Sequence, residues 1–99
     1  MLLTVTGHTS GRRYTIPVNY TRRDKNLYVI SRPERTWWRN LRQAAPVTLL
    51  LRGRERTGQG ELVRPDDPAV KSALEGSRLA KVLARHPDWP VVRVVLDAP

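Results

Sequence analysis

The chain is organised around the stretch Thr6-Gly7-His8-Thr9-Ser10-Gly11-Arg12-Arg13-Tyr14-Thr15-Ile16-Pro17, which lies between two strand-like runs. Glycine lets the backbone turn where other residues cannot, and it lets a ligand approach main-chain N–H groups closely. Arginine adds a planar fork of donors suited to phosphate or carboxylate. The stretch therefore predicts a hairpin whose turn and outgoing strand receive an anion; a polar, solvated turn is the simpler alternative.

The basic residues are concentrated in the first two-thirds of the chain. The 99 residues include 18 lysines and arginines and nine carboxylates, which gives a formal net charge of +9. Residues 1–64 hold 13 of the basic and four of the acidic side chains, whereas residues 65–99 hold five of each. This asymmetry predicts that residues 1–64 face a polyanion: nucleic acid, a membrane surface or a phosphorylated cofactor. A GC-rich genome also favours arginine, but it explains the excess over acid less well.

Length and composition exclude several classes of protein. A chain of 99 residues predicts one small domain over residues 1–99. Because there is no cysteine, a disulfide framework and a thiolate metal site are excluded. The start of the chain is too short and too polar for a signal peptide, and no apolar run has membrane-spanning length. We therefore expect a cytoplasmic domain without a membrane span.

Alternating and apolar runs predict a mainly β chain. Pro17 cannot donate to a strand ladder, so it marks an edge, a bulge or a split in the sheet. Residues 21–26 predict a polar turn that joins the second and third strands in a hairpin. The fourth strand is almost entirely apolar, which predicts burial on both faces. The predicted strands are residues 2–6, 12–20, 27–31, 47–51, 56–63 and 91–96.

Two helices are expected among these strands. A short helix is predicted over residues 36–43. A longer one begins at Asp67-Pro68, where aspartate caps a helix with proline in its first position, and runs to about Arg85. Gly76 and Ser77 mark a kink or a split in it. Short strands joined by tight turns favour an α+β fold: a small antiparallel barrel with a short inserted helix and one C-terminal helix.

The reactive side chains do not form a hydrolytic or metal site. His8 and His86 are the only histidines, and no carboxylates cluster beside either, so no metal is predicted. No serine lies in a nucleophile-elbow pattern, and the Asp66-Asp67 pair is explained by the helix cap. If the chain is an enzyme, a cofactor supplies the difficult chemistry.

A second informative stretch is Arg35-Thr36-Trp37-Trp38-Arg39-Asn40-Leu41-Arg42. On a helix, Trp37 shares a face with Leu41 and Trp38 with Arg42. One tryptophan can then pack on the barrel while the other lines a cleft beside Arg35 and Arg39. A flat aromatic ring next to guanidinium groups suits a planar anionic heterocycle. The alternative is that both tryptophans are core or interface anchors.

Together these two stretches resemble the deazaflavin-dependent nitroreductases, a family within the split β-barrel group of flavin-binding proteins. The first shows the T-G-x-x-S-G pattern of Thr6–Gly11 followed by Pro17, and the second shows W-x-x-N-L from Trp37 to Leu41 followed by Pro46. The resemblance covers residues 2–63 closely and the remainder loosely. It implies a split β-barrel that binds coenzyme F420 and passes a hydride from the reduced deazaflavin to a quinone, nitroaromatic or enone acceptor.

The resemblance also implies roles for individual residues. The glycines and Ser10 of the first stretch would supply backbone and hydroxyl donors, the arginines would hold phosphate and carboxylates, and a tryptophan would pack near the ring system. Tyr14 or Tyr20 would donate a proton to the acceptor. The implied cofactor-binding residues are Gly7, Thr9, Ser10, Gly11, Arg12, Arg13, Tyr14, Pro17, Ser31, Arg32, Arg35, Thr36, Trp37, Trp38 and Asn40.

The chain departs from the family pattern in its charges and its first helix. The family carries basic residues where this chain has Thr9 and Tyr14, so Arg12 and Arg13 are expected to replace that charge. Related chains have a helix before the first strand, which this chain is expected to lack.

Three alternatives stay open. FMN is an alternative to F420. A small basic barrel that binds single-stranded nucleic acid is a second hypothesis. A third is a non-catalytic homodimer whose interface is formed by Leu49-Leu50-Leu51 and the two tryptophans.

Overall fold

The computed structural model describes residues 1–98, so the predicted domain end at residue 99 lies outside the described residues. The strands are β1 (Leu2–Thr6), β2 (Arg13–Pro17), β3 (Thr21–Arg23), β4 (Asn26–Ile30), β5 (Ala45–Leu51), β6 (Arg54–Val63) and β7 (Val91–Leu96). The helices are a 3₁₀ helix (Trp37–Leu41), α1 (Pro68–Leu74) and α2 (Arg78–Arg85).

The strands form one antiparallel sheet in the order β2-β1-β5-β6-β7-β4-β3. β2 and β3 are its two edges, and no pairing among residues 1–98 joins them. The α+β prediction, with a mostly antiparallel sheet, is therefore confirmed, and the sheet is open.

The predicted hairpin between residues 12–20 and 27–31 is wrong. β2 ends at Pro17, and β4 pairs with β3 and β7. Pro17 has no N–H with which to extend the ladder, and the Val18 N–H then bonds the Met1 carbonyl at 2.9 Å. The chain next crosses to the other edge of the sheet, where part of the predicted polar turn forms β3. The prediction that Pro17 marks an edge is confirmed.

The inner face of the sheet carries the larger core. Side chains alternate along β1 and β5, so that every second residue points inward. The prediction that residues 47–51 are buried on both faces is wrong, because Leu49 and Leu51 are buried while Leu50 is 42% exposed. The buried members of this core are Leu3, Val5, Leu27, Leu41, Val47, Leu49, Leu51, Val92, Val94 and Leu96.

The two α-helices cover the outer face of β4 and β7. Their apolar residues Val70, Leu74, Leu79 and Leu83 pack with Tyr28 and Val91 in a second core. The prediction of one C-terminal helix is wrong, because Gly76 adopts φ +78° and the Ser77 hydroxyl accepts from the Ala80 N–H at 3.3 Å. The break at these two residues and the Asp67 cap, which accepts from the Ala69 N–H at 2.8 Å, are as predicted.

The short helix of the second stretch is narrower than predicted. It is a 3₁₀ helix over Trp37–Leu41 instead of a helix over residues 36–43, and the Thr36 side chain makes no capping bond to it. Leu41 is buried in the inner core and anchors the 3₁₀ helix to the sheet. Most of the tryptophan stretch therefore lies at one end of the sheet, beside the β1–β2 turn.

Candidate functional site

The two sequence stretches meet through Asn40. Its Oδ1 accepts a hydrogen bond from the His8 N–H at 2.8 Å, and its Nδ2 donates to the Trp37 carbonyl at 3.1 Å. One side chain therefore ties the β1–β2 turn to the 3₁₀ helix, across 32 residues of sequence.

The β1–β2 turn is closed by its own hydrogen bonds. The Gly7 N–H donates to the Arg12 carbonyl at 2.6 Å, and the Gly11 N–H donates to the Gly7 carbonyl at 3.0 Å. The Ser10 hydroxyl accepts from the Arg12 N–H at 3.2 Å. Both glycine N–H groups are thus used within the turn, which corrects the expectation that they donate to a ligand. The N–H groups of Thr9 and Ser10 take no part in these bonds.

Gly7 is required by the close packing of this turn. A Cβ at that position would lie 2.6 Å from the Ser10 Oγ and 3.0 Å from a ring carbon of Tyr14. The turn therefore holds Tyr14 and Ser10 close to the backbone, with 3.5 Å between the Tyr14 hydroxyl and the Ser10 Oγ.

A cavity of about 440 Å³ opens between this turn and the 3₁₀ helix. Such a volume is within the range of about 300–1,000 Å³ typical of small-molecule sites. Eight of the fifteen predicted cofactor residues line it, together with Ile16 and Arg39. They are Gly7, Thr9, Ser10, Tyr14, Arg35, Thr36, Trp37 and Asn40.

A second cavity of about 410 Å³ continues the first. The two share Ile16, Arg35 and Trp37, so they adjoin along β2, and we call the pair of cavities the arginine groove. The predicted residues Pro17, Ser31 and Arg32 line the second cavity. Its other walls are Val18, Asn19, Ile30, Leu79, Val82 and Trp89.

The charged residues that line the arginine groove are all basic. Arg32, Arg35 and Arg39 line it, and no carboxylate does. The ion pairs among residues 1–98 join Arg64 to Asp66 and Arg93 to Glu61, so none of these three arginines forms an ion pair there. The groove therefore favours an anionic ligand with a planar part that can contact Trp37.

The hydroxyl of Ser31 is less available to a ligand than the sequence predicts, because it is buried and already hydrogen-bonded. Ser31 is 6% exposed, and its Oγ donates to the Arg32 carbonyl at 3.0 Å. Its N–H donates to the Pro90 carbonyl at 3.0 Å, which fixes the loop of Trp89 at the end of β4. Trp89 itself stacks on His86 with 3.8 Å between the ring centroids.

Five predicted residues do not line the arginine groove: Gly11, Arg12, Arg13, Tyr20 and Trp38. Arg13 pairs with Thr6 on the outer face of β2, opposite to Tyr14 and Ile16, and Arg12 is exposed in the turn. Tyr20 lines a different cavity with Met1, Thr21 and Arg78.

Trp38 packs on the sheet and lies outside the groove. It contacts the inner core, and the guanidinium carbons of Arg39 and Arg42 lie 5.6 and 5.8 Å from its ring centroid. Its Nε1 is buried and has no hydrogen-bond partner within residues 1–98. Trp37 also packs against the inner core while it lines the groove beside Arg35 and Arg39, so the expected separation of the two tryptophans is only partly met.

Sequence reasoning missed the far wall of the groove. Leu79, Val82 and Trp89 lie 42 to 52 residues after Trp37, and nothing in their local pattern connects them with it. Arg39 was expected beside the cleft but was not counted among the cofactor-binding residues; its position next to Trp38 and Asn40 was the available signal.

Two other cavities in the described part of the chain differ from the arginine groove in their charged residues. The cavity that Tyr20 lines, of about 400 Å³, contains one arginine, Arg78, and no carboxylate. A cavity of about 460 Å³ between α1 and α2 has apolar walls and is bordered by Asp66, Lys71 and Glu75. No three residues of the His, Cys, Asp and Glu types lie close enough in the described part of the chain to hold a metal ion. None of the helices in that part has the length and apolar character needed to cross a membrane.

Comparison with known proteins gives no assignment. No protein-family model matches this chain, and no curated protein matches it.

Proposed function

We propose that the arginine groove binds an anionic flavin-type cofactor, coenzyme F420, and that the chain is a reductase that uses it. The observation that carries this proposal is the groove itself: three arginines and Trp37 line two adjoining cavities, and no carboxylate lines either of them. A deazaflavin has the matching parts, which are a planar ring system and a side chain with phosphate and carboxylates.

The meeting of the two sequence stretches supports the proposal. The resemblance to the deazaflavin-dependent nitroreductases rests on the Thr6–Pro17 stretch and the tryptophan stretch, and residues of both line one cavity. We further propose that the open sheet is a split barrel, with its opening between the edge strands β2 and β3. The groove lies along β2, on the side where this opening would be.

The residues present fit such a cofactor in distinct ways. Arg35 and Arg39, with the N–H groups of Thr9 and Ser10, would hold phosphate or carboxylate oxygens. Trp37 lies where the two cavities join, so its ring would orient the planar part. When bound, the reduced deazaflavin supplies the hydride. The apolar walls of the second cavity, including Leu79 and Val82, would keep water from the acceptor.

Proton delivery is better assigned to Tyr14 than to Tyr20. Tyr14 lines the groove and is 42% exposed, so its hydroxyl can reach a bound molecule. Tyr20 borders a neighbouring cavity instead. A tyrosine hydroxyl is a suitable donor to the oxygen that becomes basic as an acceptor is reduced.

The open alternatives differ in whether their ligand would use this groove. FMN would occupy the same groove, with its phosphate at Arg35 and Arg39. Single-stranded nucleic acid would need aromatic side chains arrayed along a basic strand face. Here the exposed aromatic of β2, Tyr14, lies beside the turn, and Trp37 is recessed in the groove, so the structure favours the cofactor.

A titration separates these alternatives. F420, FMN and a short oligonucleotide are added in turn to the purified protein, and tryptophan fluorescence is followed. We expect F420 to quench the Trp37 fluorescence with a Kd of about 10 μM or less, corresponding to roughly −7 kcal/mol. No quenching by F420 or FMN would contradict the cofactor proposal, and salt-dependent oligonucleotide binding in its place would favour nucleic acid. Reduction of menadione by F420H₂ then tests the reaction itself.

A further inference from the structure

A third cavity adjoins the arginine groove at the end away from the β1–β2 turn. It has a volume of about 400 Å³ and shares Val18, Asn19 and Leu79 with the second cavity of the groove. It shares no lining residue with the first cavity. The second cavity therefore lies between the other two, and a molecule bound in it can contact both. We call the third one the Arg78 cavity.

The Arg78 cavity combines one positive charge with several hydrogen-bonding groups. Arg78 is the only charged side chain among the described residues that line it. Asn19, Tyr20 and Thr21, which line it too, carry an amide and two hydroxyls. None of these four side chains takes part in a hydrogen bond or an ion pair within residues 1–98. A guanidinium group whose donors are free, with neutral polar groups beside it, is suited to a carboxylate.

The second cavity supplies apolar walls for a flat molecule. Leu79 and Val82 of α2 line it together with Trp89, whose ring stacks on His86. Apolar and aromatic walls of this kind favour planar ring systems. Because Leu79 also lines the Arg78 cavity, one molecule can contact both these apolar walls and the Arg78 guanidinium.

The identity of that molecule rests on the function proposed above. There the anionic side chain of F420 meets Arg35 and Arg39 in the first cavity, and its ring contacts Trp37. Since the first cavity and the Arg78 cavity share no residue, the phosphate of the cofactor and the Arg78 guanidinium lie at opposite ends. The electron acceptor is then the molecule in the second cavity that reaches Arg78.

We propose that the acceptor is a planar, quinone-like molecule that carries a carboxylate, and that Arg78 binds this carboxylate. The ring of the acceptor lies against Leu79, Val82 and Trp89. During reduction the quinone takes up one hydride from F420H₂ and one proton and becomes the hydroquinone, while F420H₂ is oxidised to F420 and releases one proton. The carboxylate is unchanged by the reaction, so Arg78 acts in binding and specificity only.

Isothermal titration calorimetry tests this assignment with a matched pair of ligands. Menadione with a propanoate side chain at C3 carries the carboxylate, and its methyl ester has nearly the same size without the charge. In the presence of oxidised F420, wild type should bind the acid about fivefold more tightly than the ester, as expected for one ion pair to an exposed arginine. Arg78→Gln should bind the two ligands alike. In the reduction by F420H₂, the same variant should raise the KM of the acid about fivefold and leave its kcat unchanged.

A second variant controls for net charge. Arg85 lies at the other end of α2 and lines none of the three cavities, so Arg85→Gln should keep the preference for the acid. Arg78→Lys, which keeps the charge, should retain part of it. Arg78→Gln should not lower the melting temperature, because the helix dipole disfavours a cation in the first turn of α2. A lost preference in that variant is therefore not explained by unfolding.

The outcomes that would overturn this proposal differ from those that would overturn the cofactor assignment. Wild type that binds acid and ester alike, or binds neither, would contradict the carboxylate site, and so would a preference that survives Arg78→Gln. Weaker F420 binding by Arg78→Gln would place the anionic side chain of the cofactor at Arg78 instead. In each of these cases F420 still binds to wild type. No binding of F420 to wild type would contradict the proposed function itself and remove the basis for the acceptor.

Discussion

The two ends of the sheet are both rich in arginine, but they differ in whether carboxylates share the cavity with the arginines. At the turn end, Arg35 and Arg39 line a cavity with Trp37 and no carboxylate. At the other end, Arg54 and Arg56 line a cavity of about 480 Å³ that also contains Glu55 and Asp97. There the Arg56 Nη2 donates to the Asp97 carbonyl at 3.5 Å.

The comparison separates the effect of the net charge of the chain from the effect of how the arginines are arranged locally. Arginines beside carboxylates have part of their potential cancelled, whereas arginines in a concave, aromatic-lined channel act together on one ligand. The net charge of +9 favours anionic partners in general. The local geometry is the reason why we propose that such a partner binds in the arginine groove. Each of the following substitutions is made at one end of the sheet, and the other end serves as the reference.

The largest effect is expected from Gly7→Ala, which disrupts the turn end. Its Cβ would lie 2.6 Å from the Ser10 Oγ, so the turn must shift. We expect a loss of about 3 kcal/mol in the free energy of unfolding, the upper range for overpacking, measured by urea denaturation. Because the hydroxyl is the nearest obstacle, the double variant Gly7→Ala, Ser10→Ala should recover part of the loss. A Gly7→Ala protein as stable as wild type would contradict the packing described for this turn.

The next effect concerns the aromatic wall. Trp37→Ala should weaken F420 binding by about 2 kcal/mol, or roughly 30-fold, since stacking on one aromatic ring contributes about 1–3 kcal/mol. Trp37→Phe keeps a flat ring and should lose only a small part of this. Isothermal titration calorimetry measures both without relying on tryptophan fluorescence. Equal losses in the two variants would show that the ring does not stack on the ligand.

Asn40 tests whether the two sequence stretches must be held together. Asn40→Ala removes the acceptor of the His8 N–H and should destabilise the protein by about 1 kcal/mol, seen as a lower melting temperature. Asn40→Asp keeps that acceptor but adds a negative charge to the groove. It should therefore be more stable than Asn40→Ala and bind F420 more weakly than wild type. An alanine variant with wild-type stability would show that the bond is not needed.

The smallest effect is expected for Arg12→Ala combined with Arg13→Ala. The sequence predicts a strong loss of cofactor binding from this change. In the structure both side chains are exposed and outside the groove, where charge contributes no more than about 0.5 kcal/mol. We expect less than a threefold change in Kd. A tenfold loss would show that the cofactor's anionic side chain extends over the turn.

Local features of the fold were predictable where one or two residues decide them. The Asp67 cap, the break at Gly76-Ser77 and the strand 91–96 follow from local chemistry. β3 was missed because its residues are polar, and its pairing with β4 depends on a two-residue turn in which Asp24 takes φ 55°. The order of strands in the sheet depends on long-range packing, which local periodicity does not encode.

The candidate site, like the fold, was predictable only where short stretches of sequence decide it. Glycine, arginine and tryptophan in two short stretches indicated the turn and the helix, and the structure brings both to one cavity. That Arg12 and Arg13 hold the anionic side chain of the cofactor stays a prediction. Arg35 and Arg39, which line the groove, are better placed to hold it. The convergence of Trp89 on the same groove could not be predicted, because it depends on the loop that the Ser31–Pro90 bond holds in place.

The most direct measurement compares the two ends in one experiment. The dissociation constant of F420 is measured for Arg35→Ala combined with Arg39→Ala and for Arg54→Ala combined with Arg56→Ala, two variants with the same loss of charge. If F420 binds in the arginine groove, its Kd should rise at least tenfold, or by about 1.4 kcal/mol, for the first variant. For the second variant the Kd should change less than twofold. Equal losses in both would mean that binding follows net charge alone and would contradict the assignment of the groove.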